Sequence, residues 1–356
     1  MIWHPAMASI VRISSITHKV IVIMQESPSA MNSDGPGHSA TLCRLEHLAA
    51  ISITGADAAA FLQGQLTCDT RAITLDHSSP GALCTPAGRV VATIQLLRSM
   101  DEILLLLNRD LSAPVMHRLA KYVLRAKVSL ADAGDAWRIA GWMGSEPDRV
   151  LQQFGLALPT EVHAAAANEL ACVVRMPGEP LRCLLLLRQE ARVTGLATQD
   201  SMVWRMADIA CGLPHVGAQF SEAFTPQMLN LDLTGAVSFA KGCYTGQEVV
   251  ARTHYLGQPK RRTYRYSACG TPQPGDALYV AEQDEMVGTV VNAVGDQLLA
   301  VVQCEDHAKP LCAGGPDGQR LQLESLPYGE AAWVLKRWIS ASTARRRTGC
   351  RSIPLA

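Results

Sequence analysis

The sequence predicts an α+β fold closed by a strand-only module, on three observations. Up to about residue 258, apolar runs of strand length alternate with segments whose apolar residues repeat at helical spacing. After Pro259 the helical period stops, and short apolar runs follow one another between Gly, Pro and Asp, the spacing of a small antiparallel barrel. Apolar runs such as 103–107 and 184–187 have strand length, far short of the roughly 18 residues of a membrane span.

The elements follow in order. Residues 45–53 predict a strand, and Thr54-Gly55-Ala56-Asp57 then supplies cap chemistry for a helix over 58–66. Pro86-Ala87-Gly88 predicts a turn, and 89–98 with 102–107 a hairpin. Leu111, Val115, Leu119 and Tyr122 fall on one helical face. Strands are expected over 137–142, 170–176 and 181–187, and a helix over 202–210. In the last module the strands are 263–267, 277–280, 286–291 and 298–302, with the boundary at 257–260. Four regions result. Residues 1–41, aperiodic and ending in the breaker cluster 32–37, read as a disordered extension or one that precedes the true start, for example Met31. Residues 42–258 form the main body, 259–330 the barrel, and 331–356, with Arg345-Arg346-Arg347, a flexible basic tail.

Composition bounds the function. The chain has 356 residues, enough for two to three domains. Its 32 basic residues balance 32 acidic ones, which argues against a dedicated nucleic-acid or membrane-surface binder. The apolar fraction of 48% supplies ample core. Eleven cysteines are scattered with no Cys-x-x-Cys pair, so neither a zinc ribbon nor a disulfide framework is indicated. A reducing compartment fits: the cytoplasm, or the mitochondrial matrix in a eukaryote. Most of these thiols read as small buried hydrophobes.

The densest segment is Lys241-Gly242-Cys243-Tyr244-Thr245-Gly246-Gln247-Glu248. Its glycines allow tight turns and close approach of a ligand. A cationic neighbour and free backbone N–H groups favour the thiolate of Cys243, although an inert cysteine is the ordinary alternative. The Gly-Lys-Ser/Thr order of a phosphate loop is absent, as are metal-ligand spacings and a Gly-x-Ser-x-Gly elbow. Arg252, His254, Lys260, Arg261 and Arg262 form a basic stretch, either a charge-protected strand edge or an anion-steering surface. Residues 61–69 and 224–232 offer Gln, Asn and Asp, suited to a heterocycle edge or to ordinary turn chemistry.

The octapeptide 241–248 resembles the signature of the YgfZ family, folate-binding iron–sulfur maintenance proteins related to the glycine-cleavage T-protein (aminomethyltransferase). Supporting stretches stand in the family's order at 61–69, 85–89, 125–128, 212–214 and 224–232, so the resemblance covers 45–328. It implies a T-protein-like architecture, with two interleaved α+β subdomains around a central cavity and a C-terminal antiparallel β-barrel. It implies tetrahydrofolate, or another reduced folate, in that cavity, and a role in assembly or repair of iron–sulfur clusters. Carried over by position, Cys243 is the functional thiol, with Lys241 and Glu248 beside it. The folate contacts implied are Gln63, Gln65, Asp69, Arg89, Gln227, Gly242, Tyr244, Gly246 and Gln247. The partners implied are iron–sulfur client enzymes or cluster carriers, without direct nucleic acid or membrane.

One departure stands out. T-proteins carry a pterin-gripping Glu where this chain reads Ile209-Ala210-Cys211-Gly212-Leu213. Ala210 occupies that place, and Asp208, two residues earlier, is expected on a different helical face. Aminomethyl transfer is therefore the alternative reading, and a tRNA-modification factor, suggested by the basic run, is another.

Overall fold

The computed structural model describes residues 41–144, 150–194 and 197–328. The expected N-terminal extension up to residue 40 and the basic tail lie outside the described residues. Strands β1 (Thr41–Arg44) and β2 (Leu48–Thr54) open the fold, followed by helix α1 (Ala58–Gln63) and strands β3 (Ser79–Cys84), β4 (Val90–Arg98) and β5 (Ile103–Asn108). Helix α2 (Ser112–Val123), β6 (Ser129–Asp132), β7 (Trp137–Met143), β8 (Ala165–Ala167), β9 (Ala171–Met176), β10 (Arg182–Arg188) and β11 (Ala197–Gln199) come next. Helices α3 (Ser201–Ala210) and α4 (Gln247–Leu256) precede the last six strands.

The subdomains are interleaved in a definite way. One sheet has the order β3-β4-β5-β2-β6, and the other β11-β1-β7-β10-β9-β8. Strand β1 thus belongs to the sheet formed by β7–β11, and the whole first sheet is inserted after it. The central strands of both sheets are buried on both faces, which is why they read as unbroken apolar runs. In β5, Ile103, Leu105 and Leu107 enter a core with α1 and α2, while Leu104 and Leu106 enter a second core. That second core also holds Leu184 and Leu186 of β10, so the two sheets pack face to face through it. Cys183, Leu185 and Leu187 point to a third core on the outer side.

Local readings are refined. In α2 the buried stripe is Val115 and Leu119, continued by the partly buried Val123. Tyr122 is 43% exposed, because a four-residue step follows the buried face better than the three-residue step from Leu119. Asp57 does not cap α1 with its side chain; its Oδ2 accepts from the Lys127 N–H at 2.7 Å and ties the helix to the following crossover.

The strands β12 (Arg261–Ala268), β13 (Ala277–Val280), β14 (Met286–Val294), β15 (Gln297–Gln303), β16 (Leu311–Ala313) and β17 (Gln319–Glu324) close a barrel in the order β12-β15-β14-β13-β16-β17. Tyr266, Leu278, Val287, Val290, Leu298, Ala300 and Val302 fill it. The barrel docks on α3 through Ile209, Val294 and Leu299. A register shift between Val290 and Asn292 in β14 is a bulge that turns Asn292 toward the main body. Among the described residues, no helix is long and apolar enough to cross a membrane.

Candidate functional site: a signature loop behind a central cavity

The signature loop is built on a buried lysine. Lys241 is 5% exposed, and its Nζ donates to three backbone carbonyls, of Gln63 (2.7 Å), Leu66 (2.5 Å) and Cys68 (2.8 Å). An ammonium has three donors and no acceptor, so three converging carbonyls satisfy it completely. Burial pulls its pKa down to about 8. The Tyr244 ring lies 5.0 Å below the same nitrogen. The positive charge expected beside Cys243 is therefore directed into the 63–68 turn, a correction to the thiolate argument.

Two glycines then interlock. Gly246, at φ +86°, would place a Cβ 2.4 Å from the Thr85 carbonyl oxygen and 3.1 Å from Gly88 Cα. Gly88, at φ +69°, would in turn meet Val249 at 2.9 Å. The Pro86-Ala87-Gly88 turn and the signature thus approach more closely than side chains permit. Gly246 caps α4, and Glu248 stands exposed in its first turn, where a carboxylate favours the helix N-terminus. Gln247 Oε1 accepts from the Tyr244 N–H at 3.2 Å. Cys243 and Gly242 are exposed at the tip of this loop. Of the described cysteines, Cys243 and Cys269 are exposed, Cys304 is half-buried and the rest are buried.

A cavity of about 420 Å³ lies elsewhere. Its walls include Gly81, Thr93 and Gln95 of the first sheet, Met176 and Leu184 of the second, Trp204, Asp208, Cys211 and His215 around α3, and Leu231, Thr234 and Tyr328. None of Gln63, Gln65, Asp69, Arg89, Gln227, Gly242, Cys243, Tyr244, Gly246 or Gln247 is among its lining residues. Most of the amide-rich side chains expected there are spent inside the protein. Gln63 accepts from the Thr70 N–H (2.7 Å) and donates to Asp69 (2.9 Å). Asp69 pairs with Arg71 at 2.8 Å, and the Arg71 hydrogen bond holds its carboxyl well below the usual carboxylate range. Arg89 donates to the Ala223 carbonyl and Gln227 to that of Val250, each at 2.8 Å. Half-buried Gln65 enters through its backbone, donating to Leu62 O.

The 66–68 turn nonetheless backs the cavity wall, whose lining includes Gly81 and Ala236. Thr67 Oγ1 donates to Ala236 O (2.7 Å) and accepts from Ala82 N–H (2.8 Å), and a Cβ on Gly81 would meet Cys68 Sγ at 2.7 Å. Lys241 holds this same turn, so signature and cavity share one supporting layer.

The chemistry of the cavity centres on Asp208. Its carboxylate is buried, 2.9 Å from Arg182 Nη2 and 3.1 Å from His215 Nε2. Burial pushes its pKa up, but Arg182 and His215 more than offset this and hold it below the usual range. Arg182 is itself fully buried, donating to Pro177 O (2.7 Å) and Trp204 O (3.3 Å) while lying over the Trp204 ring. Asp208 and Ala210 do lie on different helical faces, and it is the Asp208 face that lines the cavity. Trp204 and Asp208 are four residues apart, share one helical face, and both line the cavity. The signal was available in a lone arginine within the apolar run 181–187 and an acid in the apolar phase of α3.

The basic stretch is divided. Arg252, Lys260 and Arg261 are exposed, whereas Arg262 is buried, bidentate to Asp232 at 3.0 Å on each arm and bonded to Asn230 Oδ1 at 3.1 Å. Arg262 therefore joins barrel to body and is not available for steering an anion.

No family model matches the chain. Among curated proteins, it is 30% identical to the tRNA-modifying protein YgfZ of Hamiltonella defensa over 276 residues, 75% of this chain and 80% of that protein. It is also 30% identical to the tRNA-modifying protein YgfZ of Escherichia coli O45:K1 over 305 residues, 81% of this chain and 93% of the relative. Among solved structures, the glycine cleavage system aminomethyltransferase T of Bartonella henselae shares the fold, with a TM-score of 0.65 at 15% identity over 83% of this chain and 87% of that one. A T-protein-like body, a closed barrel and two relatives 30% identical over most of their length converge: the chain belongs to the YgfZ family.

Proposed function

We propose that the protein binds tetrahydrofolate, or another reduced folate, in the central cavity and acts in the cytoplasm as an accessory factor for assembly or repair of iron–sulfur clusters in client enzymes, with Cys243 as its working thiol. The observation that carries the folate half is the buried, ionised Asp208 in an otherwise largely apolar cavity. At about 420 Å³ the cavity has the size of a small-molecule site. A pterin edge carries N–H donors, and Asp208 is the only acidic side chain among the lining residues. Its carboxylate would accept from that edge, Arg182 keeps it charged, and Trp204 with the leucines excludes water. The bound folate would supply a one-carbon carrier. Cys243 stands exposed on the loop that braces the cavity wall, where a large client can reach it.

An aminomethyltransferase reading is less well supported, because Arg182 and His215 hold the Asp208 pKa below the usual range, which makes it a weak base while leaving it able to accept hydrogen bonds. The relatives' tRNA-modifying name agrees with an indirect route: loss of a thiolation enzyme that itself needs a cluster would leave tRNA unmodified.

Titration calorimetry tests the ligand. Tetrahydrofolate should bind the full chain, and Thr234→Trp, which fills the cavity from a half-buried position, should abolish the heat while the protein still melts cooperatively. Absence of heat or stabilisation with every reduced folate would remove the cofactor from the account.

A further inference from the structure

We infer that a second, polar pocket on the other side of the Asp208–His215 pair binds a small monocarboxylate. This pocket, about 200 Å³, is lined by His47, Asn108, Arg205, Asp208, His215 and Asn292 together with three apolar side chains. It shares Asp208, Leu213 and His215 with the large cavity, so the ion pair is a partition with a chamber on each face.

The pocket is assembled from four separate parts of the chain. His47 comes from the turn between β1 and β2, Asn108 ends β5, and Arg205 and Asp208 stand on α3. The barrel supplies Asn292 from its bulge. Asn292 Oδ1 accepts from the His215 N–H (3.0 Å) and its Nδ2 donates to the His215 carbonyl (2.9 Å), which fixes His215 against Asp208.

Two features call for a ligand. Both ring nitrogens of His47 are buried and without a hydrogen-bond partner. A neutral imidazole offers one donor and one acceptor, and leaving both unmet in a polar chamber is costly unless something occupies it. Arg205, exposed at the rim, has no ion-pair partner among the described residues. The charge of Asp208 is already matched by Arg182, so Arg205 leaves one positive charge in excess. The same field acts on His47, whose pKa is lowered to about 4 by burial and then by His215, Arg205 and Arg109. A monoanion balances this surplus, whereas a dianion would leave negative charge beside Asp208. The volume corresponds to six or seven waters at roughly 30 Å³ each, which limits the ligand to a small acid. Its carboxylate takes the Arg205 fork and accepts from the His47 N–H.

Ring-nitrogen NMR of the full chain, with histidine labelled and His47 assigned by His47→Gln, tests this without any folate. Sodium formate, acetate and glycolate, each added at constant ionic strength, should shift His47 saturably and leave His163, on the large cavity, unmoved. Arg205→Met lies at an exposed helical position and should fold normally while binding about tenfold more weakly, the loss of one charge-assisted pair. The inference is overturned if no acid gives a saturable shift at His47, if Arg205→Met binds as tightly as the parent, or if inorganic phosphate binds more tightly than all three acids.

Discussion

Replacing Lys241 by Met removes the one group on which three carbonyls converge. Two of them, those of Leu66 and Cys68, are in fully buried hydrogen bonds, and that of Gln63 is at a part-buried edge where water can replace the ammonium. A buried acceptor left unpaired costs about 1–3 kcal/mol. Two such acceptors outweigh the relief gained by no longer burying a charge, for a net loss of about 2–3 kcal/mol. That corresponds to a fall of roughly 5–10 °C in Tm. Urea denaturation should show a lower midpoint at an unchanged slope. Hydrogen exchange should localise the effect: the Thr245 amide, bonded to Gly64 O, and the Ser238 amide, bonded to Thr67 O, should lose protection. Lys241→Arg should not restore them, since a planar fork cannot address three carbonyls around one point. An unchanged midpoint with both amides still protected would refute the argument that Lys241 holds the signature to the cavity wall.

Other outcomes follow from the same geometry. Gly246→Ala should destabilise by at least about 1 kcal/mol, through its positive φ and the Thr85 carbonyl 2.4 Å from the new Cβ, whereas Gly242→Ala, with nothing within 4 Å, should melt like the parent. Arg262→Met should cost about 3–5 kcal/mol by stripping the buried Asp232 of its bidentate partner; thermal melts compare it with Arg261→Met, an exposed neighbour that should be neutral. His47 and His163 are both held near 4 by burial, against 6.5 for the free imidazole. The unfolded chain therefore takes up protons that the folded chain refuses. Stability should be flat above about 6.5 and fall as pH drops from there to about 4. His163→Gln should reduce that slope in urea titrations at stepped pH.

Much of the fold was legible because its signals are local. The runs at 103–107 and 183–187 are continuous because these central strands are buried on both faces, and they were readable as strands without knowing what buried them. Four of the six barrel strands announced themselves between Gly and Pro breakers. β16 and β17 did not: β16 is three residues long, and β17 mixes exposed polar residues with its apolar ones. Lys241 was legible as important but not as a carbonyl clamp, because its partners lie more than 170 residues away in sequence. The place of Asp208 in the cavity wall was not legible for a related reason. Its orientation is fixed by Arg182 from a strand and by His215 held from the barrel, none of which a helical-wheel argument contains.

Iron–sulfur enzyme activities in cells lacking this protein provide the decisive test of the proposed function. Full-length protein should restore them. Cys243→Ser, an exposed and nearly isosteric change, should accumulate to the same level, melt at the same temperature and bind tetrahydrofolate equally, yet fail to restore those activities. Full restoration by Cys243→Ser would contradict the thiol's role and leave the cavity as the working part.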